Sequence, residues 1–464
     1  MDGHECTEVN ISKLDITHRM DAEYYSKEYI YETNQLMSHP YFCIGKKYKV
    51  TDGEHGSVEY LSEGVKYLTA ENIKKGFVDL TQIRYVSQEV DKKNARASIN
   101  DGDILISIKG TLGSIAVATK DLMPCNMNRD VAIIKPLKQT ITSNYFMALF
   151  LMSKYGALQS QRGGSGGVQQ MITLGRLREF IIPEFSDKFY VKLKEAYEAF
   201  LTLISKSKNC FCEAENFLLN TLKIDMDDYV DCGYTVRNLS SSFLSTGRID
   251  AEYYLERHKK LIAALNPVGT IGSECNIYDK TFTPSAETTY PYIELANIDK
   301  VGEIEDVECI IGSELPTRAR RLIKEGQILV SSVEGSLDSC ALVSATYDNA
   351  ICSTGFYVID SEKYNGETLL VLLKSKPIQT LLKQGCSGTI LTNISKDEFL
   401  NIPLPNIDTY TQTKIKEIVN RSYELREKSK ELLECSKHSV EMAIEYNETT
   451  AISWLNDKIK LLTF

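Results

Sequence analysis

The chain has 464 residues, of which 43% are hydrophobic and 25% charged, and its net charge is −10. A chain this long exceeds one ordinary core and predicts about two to four domains of a soluble globular protein. The negative balance excludes a protein that simply coats nucleic acid with positive charge, although local basic patches stay open.

No run of about 18 apolar residues occurs, so no membrane span is expected. The opening MDGHECTEVNISKLD has no basic-then-apolar pattern, so no signal peptide is read there and a cytoplasmic location is expected. Twelve cysteines are scattered singly, and six histidines show no metal-ligand spacing. Both read as ordinary residues of a reducing compartment, and no metal site is expected.

In chain order, the first distinctive segment is Arg19-Met-Asp-Ala-Glu-Tyr-Tyr25, followed by Tyr67-Leu-Thr-Ala-Glu-Asn-Ile73 and Asn94-Ala-Arg96. Short β-branched runs come next: 103–107, 114–118 and 131–134, punctuated by Gly, Asp and Asn, which read as strands. A short helix is expected over 143–154. A glycine-rich run then spans 163–167, and Pro183 closes the region. Residues 188–223 contain no Gly or Pro and carry apolar residues at helical spacing, so a long amphipathic helix of ~55 Å is expected at 1.5 Å per residue.

The same order then repeats. Arg248-Ile-Asp-Ala-Glu-Tyr-Tyr254 matches the first segment at six of seven positions, at an offset of 229. Tyr292–Ile298 answers 67–73, and Arg318-Ala-Arg320 answers 94–96. GQILVS at 326–331 answers GDILIS at 102–107, and Gly385-Cys-Ser-Gly388 answers Gly163-Gly-Ser-Gly166. Strands are expected at 327–331, 340–343 and 356–359, a short helix at 366–374 and a second long helix at 409–446. Ordered matches whose offset drifts by only a few residues mean that a unit of roughly 225 residues is duplicated. The predicted architecture is α+β: two pseudo-symmetric β-rich domains, each followed by a long helix, the helices pairing as an antiparallel coiled coil. The expected boundaries are 1–185 and 229–406 for the domains, 186–228 for the first helix, and 407–464 for the second helix and a tail.

The halves differ in charge. Residues 45–185 hold 19 Lys/Arg against 14 Asp/Glu, or +5; residues 270–405 hold 11 against 19, or −8. Catalytic signatures are missing from the sequence. There is no G-x-x-x-x-G-K-[ST], no F-x-G-x-G with a downstream [ND]-P-P-[FY] and no H-E-x-x-H; the glycine run 163–167 spells G-x-S-x-G but follows no clear strand and reads as a plain turn. Asn401-Ile-Pro403 is not the methyltransferase motif, because a residue intervenes before the proline. The chain reads as a binding protein.

The doubled R-x-D-A-E-Y-Y segment, the doubled G-[DQ]-I-L-[IV]-S strand and the long helix after each β-rich region resemble the specificity subunit of type I restriction–modification enzymes over essentially the full length. The resemblance implies two target-recognition domains. Each reads one half of a split, asymmetric double-stranded DNA sequence, as part of phage defence. The helices would set the distance between half-sites and dock two methylation subunits. Those partners would hold S-adenosylmethionine and methylate DNA, adenine being the family expectation. Restriction subunits can join and cleave using ATP and Mg. The chain itself would be non-catalytic and bind no cofactor.

Reading bases needs side chains with paired donors and acceptors, and phosphates need cations and N–H groups. In the first domain the candidates are Lys109 and Thr111 beside Gly110, Asn128 and Arg129 before a strand, and Arg162, Ser165, Gln169 and Gln170 around the glycine run. In the second they are Arg318, Arg320 and Arg321 before the repeated strand, Ser336 after it, and Ser387, Thr389, Thr392 and Asn393 in the second glycine loop. A solvated turn or patch is the competing reading for each. Glu334 stands where the first copy has Lys109; an acid can accept from cytosine N4 but repels phosphate. The Asp-Ala-Glu-Tyr-Tyr strings are identical in both copies and so cannot supply different specificities; they are expected to pack each domain against the helices. Two rival functions remain at this level. One is a scaffold that binds protein. The other is a nuclease built on Lys396-Asp397-Glu398, a triplet that also reads as a helix start after Ser395.

Overall fold

The computed structural model describes residues 7–11, 22–109, 113–137, 141–165, 171–229, 235–388 and 392–463. It divides into two compact units, residues 1–204 with 427–464, and residues 205–426.

The first unit contains strands β1 (Tyr41–Cys43), β2 (Tyr48–Asp52), β3 (Val65–Leu68), β4 (Arg84–Val86), β5 (Ile104–Ser107), β6 (Ile115–Val117), β7 (Cys125–Met127), β8 (Val131–Pro136), β9 (Gly164–Ser165), β10 (Met171–Ile172) and β11 (Ile181–Pro183). They form a four-stranded sheet β2-β8-β5-β6, a three-stranded sheet β4-β3-β7 with β3 and β7 parallel, and the pairs β1-β11 and β9-β10. The runs read as strands at 103–107, 114–118 and 131–134 are therefore neighbours in one sheet. Both faces of that sheet are covered, which is why these strands are apolar throughout instead of alternating.

The second unit repeats the plan with β12 (Pro267–Thr270), β13 (Asn276–Ile277), β14 (Thr289–Ile293), β15 (Glu308–Ile311), β16 (Ala319–Leu322), β17 (Ile328–Ser331), β18 (Cys340–Leu342), β19 (Ile351–Ser353), β20 (Phe356–Asp360), β21 (Cys386–Ser387), β22 (Asn393–Ile394) and β23 (Pro403–Pro405). The sheet β13-β20-β17-β18 answers β2-β8-β5-β6. The sheet β15-β14-β19-β16, with β14 and β19 parallel, answers β4-β3-β7. β12-β23 and β21-β22 answer the two remaining pairs.

The recurring sequence words have local physical reasons. Gly102 and Gly326 both take positive φ, +82° and +83°, at the turn into the central strand. The polar residue after each glycine braces that turn: Asp103 accepts from the Asn100 N–H (2.7 Å) and Gln327 from the Lys324 N–H (2.8 Å). The weaker match at 67–73 is the same structure as its counterpart. Asn72 and Asn297 each accept from the backbone N–H three residues earlier, and each donates to carbonyls across a hairpin.

The two long helices span Asp187–Leu222 and Thr409–Glu445. Lys192–Glu195, Lys414–Glu417, Glu427–Lys430 and Glu434–Lys437 pair along their exposed faces. In the second unit the helices run antiparallel. Ser207 meets Ser422 (Oγ to Oγ 3.1 Å), and Phe211, Ala214 and Leu218 share a core with Val419 and Ile415. The seam differs from the apolar one expected. Ser207 and Ser422 are both buried on it, and Ser422 Oγ donates 2.7 Å to the Ser207 carbonyl, so the backbones approach closely there. The tail is a further helix, Glu448–Thr463, in which Trp454 lies edge-on to His438 of the second long helix.

Each unit also contains part of the other repeat's helix. In the first, Glu441 accepts from the Lys154 N–H (2.9 Å) at the start of helix Lys154–Gly163. In the second, Glu215 accepts from the Lys376 N–H (3.2 Å) at the start of Lys376–Gly385.

Candidate nucleic-acid interface

Beyond the central strand of each unit, three chain segments converge. In the first unit the Ile108 N–H donates to the Asp130 carbonyl (3.0 Å), and the Ile172 N–H donates to the Ile108 carbonyl (3.3 Å). In the second, the Ser332 N–H donates to the Gly355 carbonyl (2.9 Å), and the Ile394 N–H donates to the Ser332 carbonyl (2.9 Å). These are the same two bonds at offsets of 222 to 225. Each rim therefore consists of the segment after the central strand, the turn before the neighbouring inner strand (β8 or β20), and a short two-stranded ladder.

The first rim brings together Lys109, Asn128, Arg129 and the β9–β10 ladder that contains Ser165. Asn128 braces its own turn: its amide donates to the Asp130 carboxylate (2.9 Å) and its Oδ1 accepts from the Asp130 N–H (3.1 Å). Arg129 is exposed, with its N–H fixed to the Glu54 carbonyl (3.0 Å). Arg162 ends the helix leading to the ladder and turns onto the protein. It donates to the Tyr24 carbonyl (2.9 Å), and its guanidinium lies 4.0 Å from the Tyr24 ring centroid. Thr111, Gln169 and Gln170 lie outside the described residues, as does Thr389 of the second rim.

The second rim brings together Ser336, Ser387, Thr392 and Asn393. Ser336 Oγ lies 3.1 Å from Ser331 Oγ, while Ser387 and Asn393 pair across the ladder and are exposed. Thr392 donates its hydroxyl to the Glu334 carboxylate and accepts the Glu334 N–H on its carbonyl (3.0 Å). The three arginines sit on or beside β16, next to the turn at 353–355. Arg318 is ion-paired with Glu294 (2.6 Å), which raises its pKa further, and its carbonyl accepts from the Thr354 N–H (2.9 Å). Arg320 Nε donates to the Thr317 carbonyl (2.9 Å), and Arg321 donates to the Phe356 carbonyl. The turn 353–355 escaped the sequence reading. The offset that aligns the central strands places it opposite Asp130, which is the signal that could have found it.

The tyrosine segment of the second repeat holds its ladder. Arg248 stacks 4.2 Å from the Tyr253 ring centroid and donates to the Cys386 carbonyl (2.8 Å) at the start of β21; Gln384 donates to the Tyr253 carbonyl (2.8 Å). Arg248 in turn holds the Asp250 carboxyl below the usual carboxylate range. In the second copy these contacts run to the helix and ladder of the rim. Burial pushes the Cys386 thiol up to about 11, so it is a packing group and not a nucleophile. Lys396-Asp397-Glu398 opens a helix capped by Ser395, whose Oγ accepts from the Glu398 N–H (3.3 Å), and Lys396 pairs with Asp279. It is a helix start, as its sequence suggested. No helix among the described residues is long and apolar enough to cross a membrane.

Residues 47–183, from just before β2 to the end of β11, match the family model for the type I restriction modification DNA specificity domain. Over 93 residues the chain is 31% identical to the type I restriction enzyme EcoBI specificity subunit of Escherichia coli, a stretch that covers 20% of this chain and 19% of that protein. The matched part thus spans about a fifth of that curated relative. Two solved structures align along most of both chains. The S subunit of a type I restriction-modification system from M. genitalium is 13% identical, with 90% of this chain and 95% of that one covered and a TM-score of 0.29. The HsdS subunit from Thermoanaerobacter tengcongensis is 13% identical, with 91% and 96% covered and a TM-score of 0.25.

Proposed function

We propose, on the premise that residues 47–183 make this chain a member of the type I restriction–modification specificity family, that it is the sequence-specific DNA-recognition subunit of such a complex. Each rim reads one half of a split, asymmetric target in double-stranded DNA. The observation that carries this reading is the pairing of a shared scaffold with unshared rims. The rim backbones are bonded alike in both units, while the side chains they present differ: Lys109, Asn128 and Arg129 in one, Glu334, Ser336 and Thr392 in the other. One fold with two sets of base-edge donors and acceptors is what two different half-sites require.

Two methylation subunits dock on the helices and supply S-adenosylmethionine and the reacting groups. Restriction subunits that use ATP and Mg can join them. This chain binds no cofactor, catalyses nothing and works in the cytoplasm. The first β-rich region, at +5, contributes phosphate affinity; the second, at −8, relies on positive charge from its partners. The test is to map methylated bases across the source genome with the gene intact, deleted and restored. The expected result is one split motif that disappears and returns with the gene. A methylation map that deletion leaves unchanged, with the methylation subunits expressed, refutes the reading.

A further inference from the structure

Both loops after the central strands reach a glycine, and the residue before it is Lys109 in one and Glu334 in the other. The second loop is one residue longer, yet both are anchored by the same pair of backbone bonds. Glu334 is half-buried and held from two sides, by its N–H to the Thr392 carbonyl and by the Thr392 hydroxyl on its carboxylate. A carboxylate offers about four acceptor sites and Thr392 fills one. Gly335 beside it faces open space: a Cβ there would meet nothing within 4 Å. Other acids of the same unit are ion-paired, Glu294 with Arg318, Asp338 with Lys300 and Asp279 with Lys396. Among the described residues no such cation pairs with Glu334.

We infer that Glu334 is a specificity-determining residue of the second rim, accepting a hydrogen bond from a base amino group in the major groove, cytosine N4 or adenine N6. The inference rests on the function proposed above. An acceptor-only group fixed in place rejects guanine and thymine edges, where it would face O6, N7 or O4, other acceptors. Discrimination of roughly ten- to hundredfold at one position is the size such a contact produces. Pre-fixing by Thr392 lowers the ordering cost of using it. Lys109, at the counterpart position, presents donors only, so the two rims favour complementary base edges.

The experiment expresses the full chain with its methylation subunits and maps the methylated motif for wild type, Glu334→Gln, Glu334→Lys, Thr392→Val and Lys109→Glu. Gln offers a donor as well as an acceptor, so Glu334→Gln admits further bases at one position of one half-site; the other half-site and the spacer stay fixed. Lys109→Glu changes the opposite half-site. Thr392→Val keeps the charge but loosens it. It lowers discrimination at the Glu334 position without changing the preferred base, and it answers the question if the Glu334 variants do not assemble. A wild-type motif shared unaltered by every Glu334 and Thr392 variant, at whatever rate, overturns the inference: Glu334 is then only a loop brace or a repeller of phosphate. A wild-type complex that methylates no split motif overturns the proposed function itself, and that outcome is distinct from the first.

Discussion

Arg426 sits on the second long helix, away from the rims, with 5% of its side chain exposed, 2.8 Å from Asp299, 3.4 Å from Glu305 and 3.6 Å from Glu303. Those three carboxylates offer oxygens that all lie within 4.8 Å of one another, so the guanidinium is what makes their approach tolerable. Arg426→Met removes the cation and leaves the acids. Breaking a buried pair from one side costs about 3–5 kcal/mol, and the partial exposure of Glu305 points to the lower half of that range. For a unit of the size of residues 205–426, that becomes a fall in Tm of roughly 6–16 °C. Calorimetry of the intact chain is the assay, because the two units need not melt together. Burial already pushes the Asp299 carboxyl above its ordinary range, against the pull of Arg426. In the variant that shift grows. A carboxyl whose folded pKa exceeds its unfolded one binds more protons when folded, so acidification favours the fold and the deficit shrinks as the pH falls through that raised pKa towards the ordinary carboxylate range. Adding Asp299→Asn, Glu303→Gln and Glu305→Gln should restore most of the loss. A drop of under about 2 °C in the single variant, or no recovery in the quadruple one, would refute the view that this cluster ties the hairpin at 299–305 to the helix.

In the first unit, Tyr197→Phe removes a buried hydroxyl that donates to the Gly76 carbonyl (2.6 Å) and accepts from the Val117 N–H (3.1 Å). Orphaning both groups should cost about 2 kcal/mol or more, read by urea titration with the helix content unchanged. Glu441→Ala and Glu215→Ala each uncap one helix start and should each lose about 1 kcal/mol, in different transitions of the same melt.

The duplication made much of this fold legible in the sequence. Glycines at forced positive φ and β-branched runs between them announce central strands in either copy, because those constraints act within a few residues. The long helices were equally plain from 36- and 37-residue spans free of Gly and Pro. The chemistry of their seam was not. A serine at a seam position counts as a break in an apolar pattern, and only the close approach of two backbones shows why it fits. Arg426 was invisible for the same reason: its three acids lie more than 120 residues away, and nothing local marks them as its partners. At the rims, sequence named most of the polar residues but not what they face. Arg162 and Arg321 look like cations offered to a ligand, yet their guanidinium groups are donated to main-chain carbonyls of Tyr24 and Phe356. Such pairings depend on tertiary approach, which composition does not encode.

The helix starts at Lys154 and Lys376 depend on glutamates from the opposite repeat, and this bears on how the chain can be cut. A fragment ending near residue 228 keeps every strand of the first unit but lacks Glu441 and Leu433, which lies against the Gly76 turn. A fragment beginning there lacks Glu215 and the Phe211–Leu218 face of its core. The border that looks natural in the sequence therefore runs through the middle of two folded bodies. Chimaeras that transplant a recognition surface should be joined inside a unit, at the ends of its β-rich region, so that both helices stay with the host.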